Sequence, residues 1–348
     1  MTVYSLNFHA DYRCRHSGAC CTAGWPIPVE PRLLPLLGVE LLVPDAAGVC
    51  THFDRQSHLC KVQRDHGEDM LPASCHQFPR RALIDERGTF ITLSNFCPTA
   101  AALLYDYEQP AAIVSAPPAF PERRGYEGLD ARGQWPPLVR PGVLFDLASY
   151  SRWEAFIVST LARDTAVDEA LCRIATAAER LRAWTPESGS FETWTTNTLK
   201  TPVADSQALE IYSRYRRPET YDTLRGFVLE GLSAPQLPSA SPRQAVSESS
   251  LEARAVRRYL AAKAFASWSA YEGHGLRTLV AELAVSEVVL RTEHRRQQRS
   301  ASVSGRTRAI EAIRQADLLL IHLIDRPRLI EWLGQVENAH HQGHNGLW

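Results

Sequence analysis

The chain has 348 residues, 45% hydrophobic and 22% charged, which supplies a large core and excludes wholesale disorder. Its 38 Lys and Arg face 39 Asp and Glu, a formal net charge of -1, so no global field recruits nucleic acid. No stretch approaches the roughly 18 consecutive apolar residues of a membrane span. The opening MTVYSLNFHADYRCRHSG lacks a basic segment followed by an apolar one, so the expectation is a soluble cytoplasmic protein with no secretory signal.

In chain order, residues 1–107 are rich in cysteine and broken by Pro and Gly. Short helices are predicted over Pro31–Leu37, despite Pro35, and over Pro98–Tyr107. Thr89–Leu93 alternates and is β-branched, so it reads as a strand after a turn at Glu86-Arg87-Gly88. Residues 108–145 carry Pro110, Pro117, Pro118, Pro121, Pro136, Pro137 and Pro141, which favours an extended linker or wrapping segment. From residue 146 to about 335 the pattern is helical. Trp153, Phe156, Ile157, Leu161, Val167, Leu171, Ile174 and Leu181 recur mostly three or four apart and predict one helical run. A weaker helix is predicted over 206–232, a Ser/Pro loop over Ser233–Ser250, and helices over Leu251–Phe265, Leu276–Arg291 and Arg306–Leu323. The basic run from Arg291 to Arg299 reads as a solvated helix end. Residues 336–348, with His340, His341 and His344, read as a flexible tail. The fold expected is mainly α: a small, loop-rich, metal-stapled N-terminal module packed on a C-terminal helical domain.

Seven of the eight cysteines, Cys14, Cys20, Cys21, Cys50, Cys60, Cys75 and Cys97, fall in the first 97 residues. Such a cluster is a disulfide framework or a metal site. Cytoplasmic thiols stay reduced unless they bind metal or do redox work, and an odd number cannot all pair, so metal is favoured. Charge agrees, because thiolates brought together repel one another unless a cation neutralises them. Soft thiolate ligands suit zinc, iron and iron–sulfur clusters. Seven sulfurs exceed the four that one zinc or one cubane needs, so either a larger or second centre forms or some thiols only pack. Cys172 stands alone within a predicted helix and reads as a small core residue. His16 and His76 adjoin the blocks and read as neighbours of the ligands. Trp25 is read as either a shield for the centre or plain core. Arg80 is read as either a donor toward a negatively charged centre or a surface residue.

The cysteine blocks resemble the YkgJ-like family of zinc- or iron-chelating cysteine-cluster domains. Cys14, Gly18, Cys20, Cys21, Cys50, Phe53, Cys60, Cys75, Phe78 and Pro79 fall on its pattern, with Ser17 where the family has a second cysteine. A narrower resemblance is to flagellin lysine-N-methylase proteins. It rests on Cys20-Cys21 before Gly24-Trp25, on Gly67-Glu68, on Cys75-His76-Gln77-Phe78-Pro79-Arg80, and on Ser94-Asn95-Phe96-Cys97-Pro98. The resemblance covers about residues 12–105 and implies a [4Fe–4S] cluster and S-adenosylmethionine-dependent methyl transfer to a lysine of a protein such as flagellin. No G-x-G-x-x-G, no phosphate-binding loop and no C-x-x-x-C-x-x-C is present, so an S-adenosylmethionine site here is unconventional. A non-enzymatic zinc- or iron-chelating accessory module is the alternative, and an electron-transfer module a third reading. All seven clustered cysteines are the candidate ligands; no catalytic residue is assigned, and neither a nucleic-acid nor a membrane partner is expected.

Overall fold

The computed structural model describes residues 1–122, 125–200, 204–230, 232, 250–298 and 304–338. The Ser/Pro stretch predicted over 233–250 lies outside the described residues except for Ser250, as does the tail with His340, His341 and His344.

The core of the N-terminal third is a sheet. Its strands are β1 (Val3–Leu6), β2 (Arg80–Asp85), β3 (Gly88–Leu93), β4 (Ile113–Ser115) and β5 (Gly128–Asp130), in the order β4-β1-β3-β2-β5. The expected Thr89–Leu93 strand is β3, paired antiparallel with β2 across a turn at Glu86-Arg87. Every residue of β3 is buried, because both sheet faces are covered. On one face Phe90 meets Phe265 at 5.9 Å, and the Thr92 hydroxyl donates to the Ala262 carbonyl at 3.4 Å. On the other, Ile91 and Leu93 pack with Val3, Ala82, Phe120 and Tyr126. The Pro-rich segment wraps the sheet and supplies both edge strands, β4 and β5, then a small hairpin of Leu138–Arg140 with Val143–Leu144.

The chain is mainly α, with 54% of it helical. The longer helices are α1 (Pro98–Asp106), α2 (Leu147–Leu161), α3 (Val167–Arg182), α4 (Phe191–Lys200), α5 (Ser250–Ala264), α6 (Leu276–Gln297), α7 (Gly305–Asp317) and α8 (Arg326–Gly334). Asp146, Ser304 and Asp325 cap α2, α7 and α8 by accepting backbone N–H bonds from Ser149, Thr307 and Arg328. Helix α6 is buried along most of its length and packs on α3, α5, α7 and α8, so it is the axis of the helical body. No described helix is long and apolar enough to cross a membrane.

Four expectations change. The run from 146 to 181 is two helices, because the chain turns after Leu161 and Arg257 holds that turn through the Asp164 carboxylate (2.7 Å) and the Thr165 carbonyl (2.8 Å). The weaker helix over 206–232 is three short pieces, Ser206–Glu210, Ser213–Arg216 and Glu219–Arg225, the last starting after Pro218, which has no N–H to continue a helix. The helix predicted to Leu323 is α only to Asp317 and then widens into a π-helical turn over Leu318–Leu323. The basic run is not a free solvated end. Arg291 pairs with Glu287, His294 lies 3.4 Å from Glu252, and Arg296 donates to Glu293 (2.9 Å) and Tyr221 (2.7 Å).

Next to β1, His9 is fully buried and neither ring nitrogen has a hydrogen-bond partner among the described residues. Burial pushes its pKa down to about 3, so the folded protein holds it neutral. Between pH 6.5 and about 3 the unfolded chain binds a proton there that the folded chain does not, and stability falls as pH falls. Urea unfolding should show wild type losing up to roughly 1.4 kcal/mol per pH unit relative to His9→Phe across pH 6 to 4. Parallel pH profiles for the two proteins would refute this account.

Candidate metal centre

Each cysteine block is placed by a short local structure. Gly18, at φ 73°, turns the chain into a single 3-10 turn carrying Cys20 and Cys21. A Cβ on Gly18 would sit 2.7 Å from the Phe53 ring, so both the backbone angle and the close approach require glycine. The Cys50 N–H donates to the Cys21 carbonyl at 2.8 Å and stitches the second block to the first. A two-stranded ribbon, Phe53–Asp54 with Leu59–Cys60, returns Cys60 opposite Phe53. Cys60 precedes the helix Lys61–His66, and Cys97 precedes α1. Cys75 lies on the helix Ala73–Gln77, whose first N–H is held by the Glu30 carboxylate at 2.7 Å.

These segments bring all seven candidate ligands, Cys14, Cys20, Cys21, Cys50, Cys60, Cys75 and Cys97, to the wall of one cavity. It measures about 140 Å³, roughly ten times what one water needs. None of the cysteines is in a disulfide. The sulfurs of Cys20 and Cys21 are 3.9 Å apart, and the Tyr12 hydroxyl is 3.8 Å from the Cys97 sulfur. Among the described residues, no group of three or more His, Cys, Asp or Glu side chains is set closely enough to hold one metal ion. Cys20, Cys21 and Cys60 are joined by sulfur hydrogen bonds through Cys21, and the other four cysteines line the same cavity. Cys172 is buried on α3 and does not line the cavity.

The environment divides the thiols. A hydrogen bond from Cys21, with the Gln63 and Val62 amides at the helix start, holds Cys60 down at about 6. Cys20 is lowered first by its bond with Cys21, and Cys21, the shared donor, is driven far up. Burial, then the charges of Cys20 and Cys60, pushes Cys75 up to about 12. Burial also raises Cys50 and Cys97. Without a cation, only some of these sulfurs ionise at neutral pH.

The remaining wall is aromatic and cationic. Trp25 stacks on His322 with ring centroids 4.3 Å apart and leans on Phe96 (5.5 Å) and Phe78 (6.0 Å), so it is both cavity wall and local core. Arg80 lines the cavity, its guanidinium 5.8 Å from the Tyr12 and Phe120 rings, and no carboxylate pairs with it among the described residues. His16 and His76 line the cavity too; His16 is exposed, and His76 lies 3.5 Å from Glu68.

The Ser94–Cys97 segment is latched to the helical body. The Asn95 N–H donates to the Asp317 carboxylate, which also accepts from Tyr259 (3.0 Å) and pairs with Lys263 (2.5 Å). Arg314 donates to the Phe96 carbonyl at 2.9 Å, and Ser94 bonds the His322 ring at 2.6 Å. Sequence reasoning missed Tyr12, Asp317 and His322. Tyr12 stands two residues before Cys14, a weak local signal, whereas Asp317 and His322 are more than 200 residues from the segment they hold.

No family model matches the chain, and comparison with curated proteins and with solved structures gave no match.

Two predictions test this construction. Gly18 and Gly24 both have positive φ, but a Cβ on Gly24 meets nothing within 4 Å. Gly18→Ala should therefore lose roughly 1–3 kcal/mol more in urea unfolding than Gly24→Ala, and equal losses would remove the Phe53 contact from the account. Asp317→Asn leaves the buried Lys263 ammonium without its counter-charge and should cost about 3–5 kcal/mol. A loss below 1 kcal/mol in the same assay would show that the carboxylate is not the latch.

Proposed function

We propose that this protein is an iron–sulfur protein whose cluster is held by sulfurs of the N-terminal cysteine segment. One observation carries the reading: seven uncrosslinked cysteines, spread over 84 positions of sequence from Cys14 to Cys97, share the wall of one cavity. From Cys14 to Cys75 the chain has only two-residue strands and helices of six residues or fewer, so metal–thiolate bonds would supply the stability that a small apolar core does not. That makes the segment a metal-stapled module on the sheet and helices.

The donor set fits a polynuclear centre. Thiolates are its usual ligands, and seven cysteines on one cavity wall exceed the four donors that a lone zinc takes. Cys20, Cys21, Cys50, Cys60 and Cys75 influence one another's ionisation and are the main candidates; Cys14 and Cys97 adjoin Tyr12 on another part of the wall. Bound there, an iron–sulfur cluster would supply electron-transfer or Lewis-acid chemistry. The chain's own groups would support it: helix-start amides would stabilise Cys60 and Cys97 as thiolates, the Tyr12 hydroxyl 3.8 Å from Cys97 would donate to its ionised form, Trp25 and Phe78 would limit water, and Arg80 would offset negative charge.

The likeness to flagellin lysine methylases extends the proposal to S-adenosylmethionine-dependent methylation of a protein lysine. Arg80 favours this extension, since a guanidinium on the cavity wall with no carboxylate partner among the described residues could also hold the carboxylate of a methyl donor. The competing reading is a zinc- or iron-chelating accessory module.

Anaerobically purified protein should be brown, with iron and acid-labile sulfide in near-equal amounts. Cys75→Ala should lose most of the metal, while Cys172→Ala keeps it. Colourless protein with stoichiometric zinc would transfer the assignment to the chelating module, and equal retention by both variants would refute the ligand set. Incubation with S-adenosylmethionine and candidate proteins, read by mass spectrometry for methyl-lysine, decides the enzymatic extension separately.

A further inference from the structure

A second polar cavity lies on the helical body. It measures about 270 Å³ and is bounded by α5, by residues Glu108 to Ala111 after α1, and by the end of α2 with Asp164. Arg254, Arg257 and Arg258 stand at i, i+3 and i+4 on α5 and share the face that lines it. Arg257 and Arg258 are only 5% and 3% exposed.

The three guanidiniums are not equally satisfied. Arg257 is neutralised by Asp164. Arg258 donates to the Leu104 and Gln109 carbonyls, at 3.1 and 3.0 Å, and faces the Tyr107 ring, so it has hydrogen bonds but no counter-charge among the described residues. The Arg254 Nε is buried without a partner, and no carboxylate pairs with Arg254 among the described residues. Glu108 lines the cavity but is exposed and forms no ion pair with the three arginines. The lining thus carries three guanidiniums against two carboxylates, one of them unengaged. Burial and the like charge of Arg254 pull Arg258 down to about 10, which marks the cost of leaving this cluster uncompensated.

We propose that this cavity binds a phosphate-type oxyanion, free or carried on a small ligand, gripped by Arg254 and Arg258. A tetrahedral oxyanion accepts from several N–H groups at once, which suits two guanidiniums on one cavity wall that have no carboxylate partner among the described residues. Leu161, Ala162 and Pro110 give the cavity apolar walls, room for the carbon part of a phosphomonoester. The site shares no residue with the cysteine cavity, so it stands whether or not a metal is bound.

Calorimetric titration of the full chain at constant ionic strength tests it, with inorganic phosphate and glycerol phosphate as probes. Wild type should bind with saturable, single-site heat. Arg254→Gln changes a partly exposed side chain and should weaken binding about tenfold or more, with an unchanged circular-dichroism spectrum. Glu108→Gln removes the competing rim carboxylate and should bind at least as tightly as wild type. Tighter binding of glycerol phosphate would identify an esterified ligand, and equal binding the free anion. Absence of saturable binding by either probe would overturn the proposal, as would equal affinity in wild type and Arg254→Gln.

Discussion

The Asp317 carboxylate, with no surface exposed, joins the two halves of this protein. It ends α7, accepts from Tyr259 and Lys263 of α5, and takes the Asn95 N–H just before Cys97. A buried charge of this kind is tolerable only when fully paired and hydrogen-bonded, so its partners must stand in one arrangement. That arrangement fixes where Cys97 and the start of α1 stand relative to the helical body. Arg314 on the Phe96 carbonyl and His322 on Ser94 repeat the constraint from the same stretch of chain.

Outward from this latch, the construction becomes less regular and more dependent on single residues. The sheet is covered on both faces at its central strand. The cysteine segment has two-residue ribbons, one-turn helices and a glycine at φ 73° that lies against an aromatic ring. Its apolar groups are small satellites of the main core. Sulfurs brought together in such a segment are mutually repulsive when ionised and costly to bury when ionised alone, and a shared cation resolves both penalties. The two cavities pose the same electrostatic question with opposite sign. One collects thiols that repel one another when ionised; the other collects three guanidiniums beside two carboxylates.

The sequence by itself determined the mainly α class, strand β3, helix α1, the α5 and α6 regions and the crowding of cysteines, because these are signals of local periodicity and composition. It also marked Arg80 and Trp25 as residues with two readings each, and Cys172 as a core residue. Tertiary structure alone decided the rest. β1 pairs parallel with a strand more than 80 residues away, and β4 and β5 are edge strands in a Pro-rich stretch, so neither leaves a periodic trace. The break between α2 and α3 is held by Arg257, a residue 92 positions from its Thr165 partner. The partners of Asp317 and His322, and the meeting of the α5 arginines with Glu108 and Asp164, arise from contacts between distant segments. Spacing along a chain records which side chains share a helix or strand face; which charges and sulfurs meet across elements depends on how those elements pack, and that is settled only when the core forms.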